Sequence, residues 1–274
     1  NMKVVAPYTS FSLKTASKLF FVGSTVGPIV DSLHNQCLLD YDLLPISLSI
    51  PSENIDDVVT PFFCSSWTVP PLLGVAYMVL GGILPRIFQS LLNNNNNNVD
   101  VRQQEQQIST AATTEKRSSK KSSSANELRS RALLAVATTT LIIKLSDLLQ
   151  TSDFSIDSTT KIFILMIAAL SQWAWLDGTI VALLVASITS IGGPLSELPF
   201  VANHVWHYIP SAADYLPLKD VSLLGLNQLL GDNYQQIALS SITGPCYFAV
   251  TMDAIAIGRW LDCDNEKEEE DAAS

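Results

Sequence analysis

The chain has 274 residues, yet only 15% are charged and 47% are hydrophobic, and its mean hydropathy is +0.26. A soluble protein of this size could not bury so much apolar sequence without leaving large apolar patches in water, so lipid is the solvent the composition implies. The net charge of −10 argues against nucleic acid as a partner, because phosphate binding needs a basic surface.

A spanning helix needs about 20 mostly apolar residues to cross the hydrocarbon core. Six stretches qualify in chain order, which predicts an all-α, polytopic membrane protein with six transmembrane helices. The first is 13–33, with Lys14 and Lys18 at one end and Asp31 at the other. The second, 67–84, has Pro70–Pro71 in its first turn and is closed by Pro85–Arg86. The third is 132–149. The fourth and fifth, 162–176 and 179–192, are split by Asp177–Gly178, a pair suited to a tight turn between antiparallel helices. The sixth, 242–261, opens near Pro245.

Between helices two and three, a run of asparagines at 93–98 leads into Gln-, Ser-, Thr- and Lys-rich sequence, too poor in apolar residues to offset the entropy of ordering. The expected organisation is a cytosolic N-terminus at 1–12 and a membrane domain at 13–262, with 92–130 as a disordered cytosolic linker. An acidic cytosolic tail follows at 263–274. Residues 1–10 have neither the apolar core nor the cleavage signature of a targeting segment. Much of the acidic excess falls in the run 262–271, which reads as solvated.

Loop charge sets the orientation. The linker carries Arg102, Lys116, Arg117, Lys120, Lys121, Arg129 and Arg131, whereas the stretch 34–66 holds five acids and no Lys or Arg. Basic residues favour the cytosolic side, so both termini and the linker face the cytosol. The segment 193–239, with four prolines and Trp206, Tyr208 and Tyr215, reads as lumenal and interfacial, with a short helix at 223–230.

Charges inside spans mark function by default. Lys144 and Asp147 are spaced to neutralise each other on one helix. Asp253 lies midway along the last helix, six residues before Arg259 and beyond its local reach. It must face other helices, a polar cavity or a protonated state. Asp31 and His34 form another short-range pair, read as structural and interfacial. No nucleophile elbow, zinc-protease, phosphate-loop or dinucleotide motif is present, and the four cysteines and three histidines have no zinc spacing. Cys37 and Cys64 would pair only as neighbours in one lumenal loop, and isolated thiols are the simpler reading. No enzyme activity, cofactor or metal is expected. Gly23 and Gly27, with Gly74, Gly81 and Gly82, allow neighbouring helices to approach closely.

Three strings of residues resemble the Insig family of sterol-regulatory membrane proteins. The first is Trp67-Thr68-Val69-Pro70-Pro71-Leu72-Leu73-Gly74-Val75-Ala76, continuing through Val79 and Gly81 to Pro85, and it is similar to the family's second helix. The second is Pro245-Cys246-Tyr247-Phe248 with Ile257-Gly258-Arg259, similar to its last helix. The third is Ala168-Ala169-Leu170-Ser171 with Trp175 and Asp177, similar to its fourth helix and the turn after it. The resemblance spans roughly 13–262 and implies a multi-pass endoplasmic-reticulum protein that binds a sterol or other membrane lipid. It also implies control of sterol and isoprenoid synthesis through partners with sterol-sensing domains, of the Scap or HMG-CoA reductase type. The family's Asp in the turn after helix four holds Scap, and Asp177 is its match. The family's animal members follow that Asp with an Arg-rich turn where this chain has Gly178-Thr179.

The lipid or sterol site expected from these readings comprises Gly23, Gly27, Trp67, Gly74, Ala76, Gly81 and Asp253, walled by helices one, two and six. Asp177 and Trp175 are the expected partner contacts. Competing readings are a small transporter coupled through Lys144, Asp147 and Asp253, a lipid-modifying enzyme at Asp31 and His34, and a scaffold that senses nothing. A plastid or other endomembrane is the alternative location.

Overall fold

A computed structural model of the chain describes residues 12–35, 38–49, 61–97, 117–151, 156–222 and 225–273. Six long helical stretches account for most of them. Helix α1, Leu13–Asn35, starts where the Ser12 hydroxyl accepts the Thr15 N–H at 3.0 Å, satisfying one of the free donors of a first turn. Helix α2, Val69–Tyr77, runs through a π-helical stretch, Met78–Ile83, into α3, Leu84–Asn97. The expected stop at Pro85 therefore does not occur. A proline inside an α-helix collides with the carbonyl four residues back, and the wide π turn just before it relieves that collision. The Arg86 guanidinium then takes up the Gly82 carbonyl at 2.5 Å.

Helix α4 is Arg117–Thr151, α5 is Ser158–Leu176, α6 is Ile180–Ala202 and α8 is Thr243–Ala273. The Asp177–Gly178 turn forms as expected. Gly178 sits at φ +71°, where a side chain would be strained, and Thr179 caps α6 by accepting the Ala182 N–H. Helix α6 runs ten residues past its expected end with Pro194 and Pro199 inside it, so 193–202 is not a loop. Prolines persist in such helices because neighbouring elements cover the backbone they disrupt.

Helix α5 is capped by Asp157, which accepts the Thr160 N–H at 3.0 Å and the Thr160 hydroxyl at 2.7 Å. Those bonds to the ionised form hold this carboxyl below the usual aspartate range. Its capping stabilisation is therefore full above the ordinary aspartate pKa and is lost as pH falls through the depressed folded value. Across an acid titration from pH 6 to 3, the difference in melting temperature between wild type and Asp157→Asn should shrink toward zero. A constant difference would show that the charge contributes nothing.

The stretch expected to be loop between α1 and α2 holds strands, so the protein is mostly helical but not purely so. Strand β1, Leu39–Tyr41, pairs antiparallel with β4, Trp206–Tyr208, with Leu39 opposite Tyr208 and Tyr41 opposite Trp206. Strand β2, Pro45–Ser49, pairs with β3, Pro61–Ser66. The short helix α7 covers Leu226–Leu230, within the predicted interfacial segment.

Helix α8 is the hub, packing against α1, α4, α5, α6 and the π stretch, and Ala249, Ala254 and Ile255 on it are fully buried. Among the described residues four helices are long and apolar enough to cross a membrane: Val69–Leu92, Ala125–Thr151, Ser158–Leu176 and Ile180–Ala202. Only 22–39% of the most apolar stretch of each is buried inside the protein, so most of that surface needs lipid as its solvent.

Helix α8 also overturns the reading of its acidic end as wholly solvated. Asp262 is buried, paired with Arg86, and accepts the Thr15 hydroxyl at 2.9 Å, while buried Asn265 donates to the same hydroxyl. The periodicity of a helix carries these residues onto the face that meets α1 and α3.

Candidate functional site

A cavity of about 220 Å3 lies between α1, α2, α6 and α8, closed at one end by β1 and β4. Its walls are mainly apolar, from Val30 on α1, Val69, Leu72, Leu73 and Ala76 on α2, Ile143 on α4 and Val250 on α8. Gly27 removes a side chain where α1 meets Leu73, and this lets the two helices close on each other.

One end of the cavity is polar. Glu197 of α6 accepts the Tyr208 hydroxyl at 2.5 Å and the Tyr247 hydroxyl at 2.8 Å, and Asp31 of α1 accepts the Tyr41 hydroxyl at 2.9 Å. Trp206 stacks on Phe200 with centroids 4.9 Å apart, and its buried Nε1–H lacks a partner of normal hydrogen-bond geometry among the described residues. The β1–β4 pairing is what delivers Tyr41, Trp206 and Tyr208 to this end. Among the described residues no Lys, Arg or His lines the cavity. The arrangement offers an apolar body a place to sit and offers a hydroxyl both acceptors and one donor.

The structure divides the predicted lipid-site residues. Gly27 and Ala76 line the cavity. Gly23 and Gly74 lie at the α1–α2 crossing, where a Cβ on Gly23 would meet the Leu73 carbonyl and one on Gly74 the Phe20 ring. Gly81 abuts Ala254 of α8. Trp67 is 68% exposed and stands off the cavity. Asp253 is fully buried but does not line it; beside it stands Tyr77, which does. Of the three expected walls, α1, α2 and α8 all contribute, joined by α6, β1 and β4.

Sequence reasoning missed Glu197, Tyr208 and Tyr247. Glu197 carried a usable signal, as the one carboxylate in the apolar stretch 180–202. The prolines on either side hid it.

At the other end of the bundle, where α1 begins, Asp177 is buried and ion-paired with Arg259, and its Oδ1 accepts the Thr179 N–H at 2.9 Å. Trp175 beside it is 62% exposed. Lys144 pairs with Asp147 as its spacing predicts. Asp31 has Tyr41 as a partner, and the side chain of His34 lies outside the described residues, as does Cys37. Burial and the nearby Asp40 push the Cys64 thiol above its usual range, so it stays protonated. Among the described residues no group of His, Cys, Asp and Glu is placed to hold a metal ion.

Fold and cavity together define a polytopic membrane protein whose helices enclose a small, mainly apolar chamber with a carboxyl–phenol end. The sequence model of the insulin-induced protein (INSIG) family matches residues 14–262, and the chain belongs to that family. Membership implies a regulatory role in sterol homeostasis. Among solved structures the chain is similar to MvINS, an Insig homologue from Mycobacterium vanbaalenii. The identity is 16%, the TM-score 0.53, and the match covers 93% of this chain and 97% of that one. A cross-linked MvINS trimer matches with the same identity and coverage at a TM-score of 0.54. No curated protein matches the chain.

Proposed function

We propose that the chain is a non-enzymatic, sterol- or lipid-responsive regulator of the endoplasmic-reticulum membrane that binds partners with sterol-sensing domains. α1 and α8 would join the four most apolar helices to make six spans with both termini cytosolic. The cavity between α1, α2, α6 and α8 is the observation that carries the reading. Apolar burial supplies affinity there, and the polar end fixes which way round the ligand sits.

A sterol hydroxyl at that end donates to Glu197 and accepts from the Trp206 N–H. Ligand sites are commonly ~300–1,000 Å3, so a chamber of about 220 Å3 takes the hydroxylated end of a sterol and leaves the rest between the helices and lipid. Sterol then alters partner affinity by the difference in its own affinity for the free and bound forms.

A photoreactive sterol in native-like membranes should label Val30, Leu72, Ala76 or Val250, mapped by mass spectrometry. Glu197→Leu should cut that labelling about tenfold through loss of one hydrogen bond to the sterol hydroxyl. Labelling confined to outward-facing positions such as Leu141 and Ile188 would remove the site. Capture of a sterol-sensing-domain partner that is indifferent to added sterol would leave a scaffold without a sensor.

A further inference from the structure

The fully buried Asp253 has no place in the cavity chemistry. Both of its carboxyl oxygens are sealed from solvent and lack a partner of normal hydrogen-bond geometry among the described residues, although the hydroxyls of Tyr77 and Thr139 stand beside it. A third oxygen nearby is in the same condition. Gln172 of α5 donates from Nε2 to Thr139 Oγ1 at 2.8 Å, to Thr138 Oγ1 at 3.0 Å and to the Ala135 carbonyl at 3.2 Å. That leaves its Oε1 buried and without a hydrogen-bond partner among the described residues. Thr139 in turn donates to the Ala249 carbonyl at 3.0 Å, so its lone pairs, not its proton, face outward from that bond.

Tyr77, Thr139, Gln172 and Asp253 are each at most 4% exposed and come from four helical stretches, α2, α4, α5 and α8. The basic side chains that might have balanced Asp253 are engaged elsewhere, Arg259 with Asp177 and Lys144 with Asp147. A buried carboxylate left in this state is costly. Protonation would cancel the charge as well, so a bound proton and a bound ion are the two ways to neutralise this group.

We propose that Asp253, Gln172 Oε1, Thr139 Oγ1 and Tyr77 Oη form a binding site for a small monovalent cation, sodium. A set of hard oxygen donors suits an alkali or alkaline-earth ion, and a single carboxylate neutralises one positive charge rather than two. Close packing of four helical stretches around the group favours a small ion. The site is separate from the cavity and shares Tyr77 with it, so an ion there would fix one wall of the chamber.

The test uses the full chain in detergent. Its melting temperature is followed as sodium chloride replaces choline chloride at constant ionic strength, and retention of radioactive sodium is measured on the same protein. A saturable rise in melting temperature with sodium, and one retained ion per chain, is the expected result. Asp253→Asn should weaken both by more than about tenfold in sodium concentration. Should that variant fail to fold, Gln172→Leu, which removes the amide oxygen and keeps the carboxylate, should weaken sodium retention in the same direction. No sodium retention by the wild-type chain would overturn the site. So would retention undiminished in the variants, or a melting temperature that responds to acid and not to sodium, which would assign a proton instead.

Discussion

Gly258→Ala and Gly81→Ala should each destabilise the protein by about 3 kcal/mol or more, the upper end for overpacking a closed core. At Gly258 an added methyl carbon would be driven into the Gly81 carbonyl, and at Gly81 into the Ala254 carbonyl. Both obstacles are backbone. A flexible side chain swings aside at small cost, whereas here α8 and the π stretch must move apart, and α8 packs on almost every other long helix. The internal control is Gly192 of α6, where nothing lies within 4 Å of an added Cβ. Gly192→Ala should leave stability unchanged or raise it slightly, since alanine is the better helix former by up to ~1 kcal/mol. Thermal and denaturant unfolding in detergent measure all three. Equal effects at Gly258 and Gly192 would mean that the two helices do not touch as described. The crossing also sits one turn beyond Tyr77 and Asp253, so forcing it open should lower sterol labelling as well.

Local rules carry the parts of this architecture that local chemistry dictates. The turn at Asp177–Gly178, the Lys144–Asp147 pair and the value of small residues on α1 and α2 all follow from neighbours in sequence, and each is present. What failed was reasoning that treated proline as a full stop. Pro85, Pro194 and Pro199 all lie inside helices because tertiary neighbours and a π turn absorb the lost hydrogen bond and the steric conflict. Strands of three residues are beyond any local signal. Leu39–Tyr41 and Trp206–Tyr208 exist only because folding brings 165-residue-distant segments together, Asp42 and His207 bonding across that gap at 2.9 Å. The polar end of the cavity depends on that pairing, which is why Tyr208 and Trp206 could be placed near an interface but not beside Glu197. Asp253 was legible as an anomaly, since a charge midway along an apolar run is costly unless it meets other helices, a polar cavity or a proton. Its neighbours were not, because they come from three other helical stretches.

Asp177→Ala should lower stability by about 3 kcal/mol, and Arg259→Gln should lower it by a similar amount. The two side chains, 6% and 12% exposed, form an ion pair across 82 residues of sequence. Removing one member of a nearly buried pair strands the other charge, which costs ~3–5 kcal/mol when burial is complete and somewhat less when water still reaches one edge. The double variant should be no worse than the worse single one, because the penalty comes from the unpaired charge and not from loss of attraction. The proposed partner role of Asp177 then becomes testable in a way that a single substitution does not allow. A carboxylate already committed to Arg259 and to the Thr179 N–H presents little of itself to another protein, whereas Trp175, two residues earlier, is largely exposed. If the Asp matters to a partner by holding the α5–α6 turn in shape, Arg259→Gln should impair capture of a sterol-sensing-domain protein as much as Asp177→Ala does, and both should lower the melting temperature. If instead Asp177 itself touches the partner, Arg259→Gln should free it and leave capture intact or stronger. The first outcome would make the turn's geometry the thing the partner reads, with Trp175 as its accessible face.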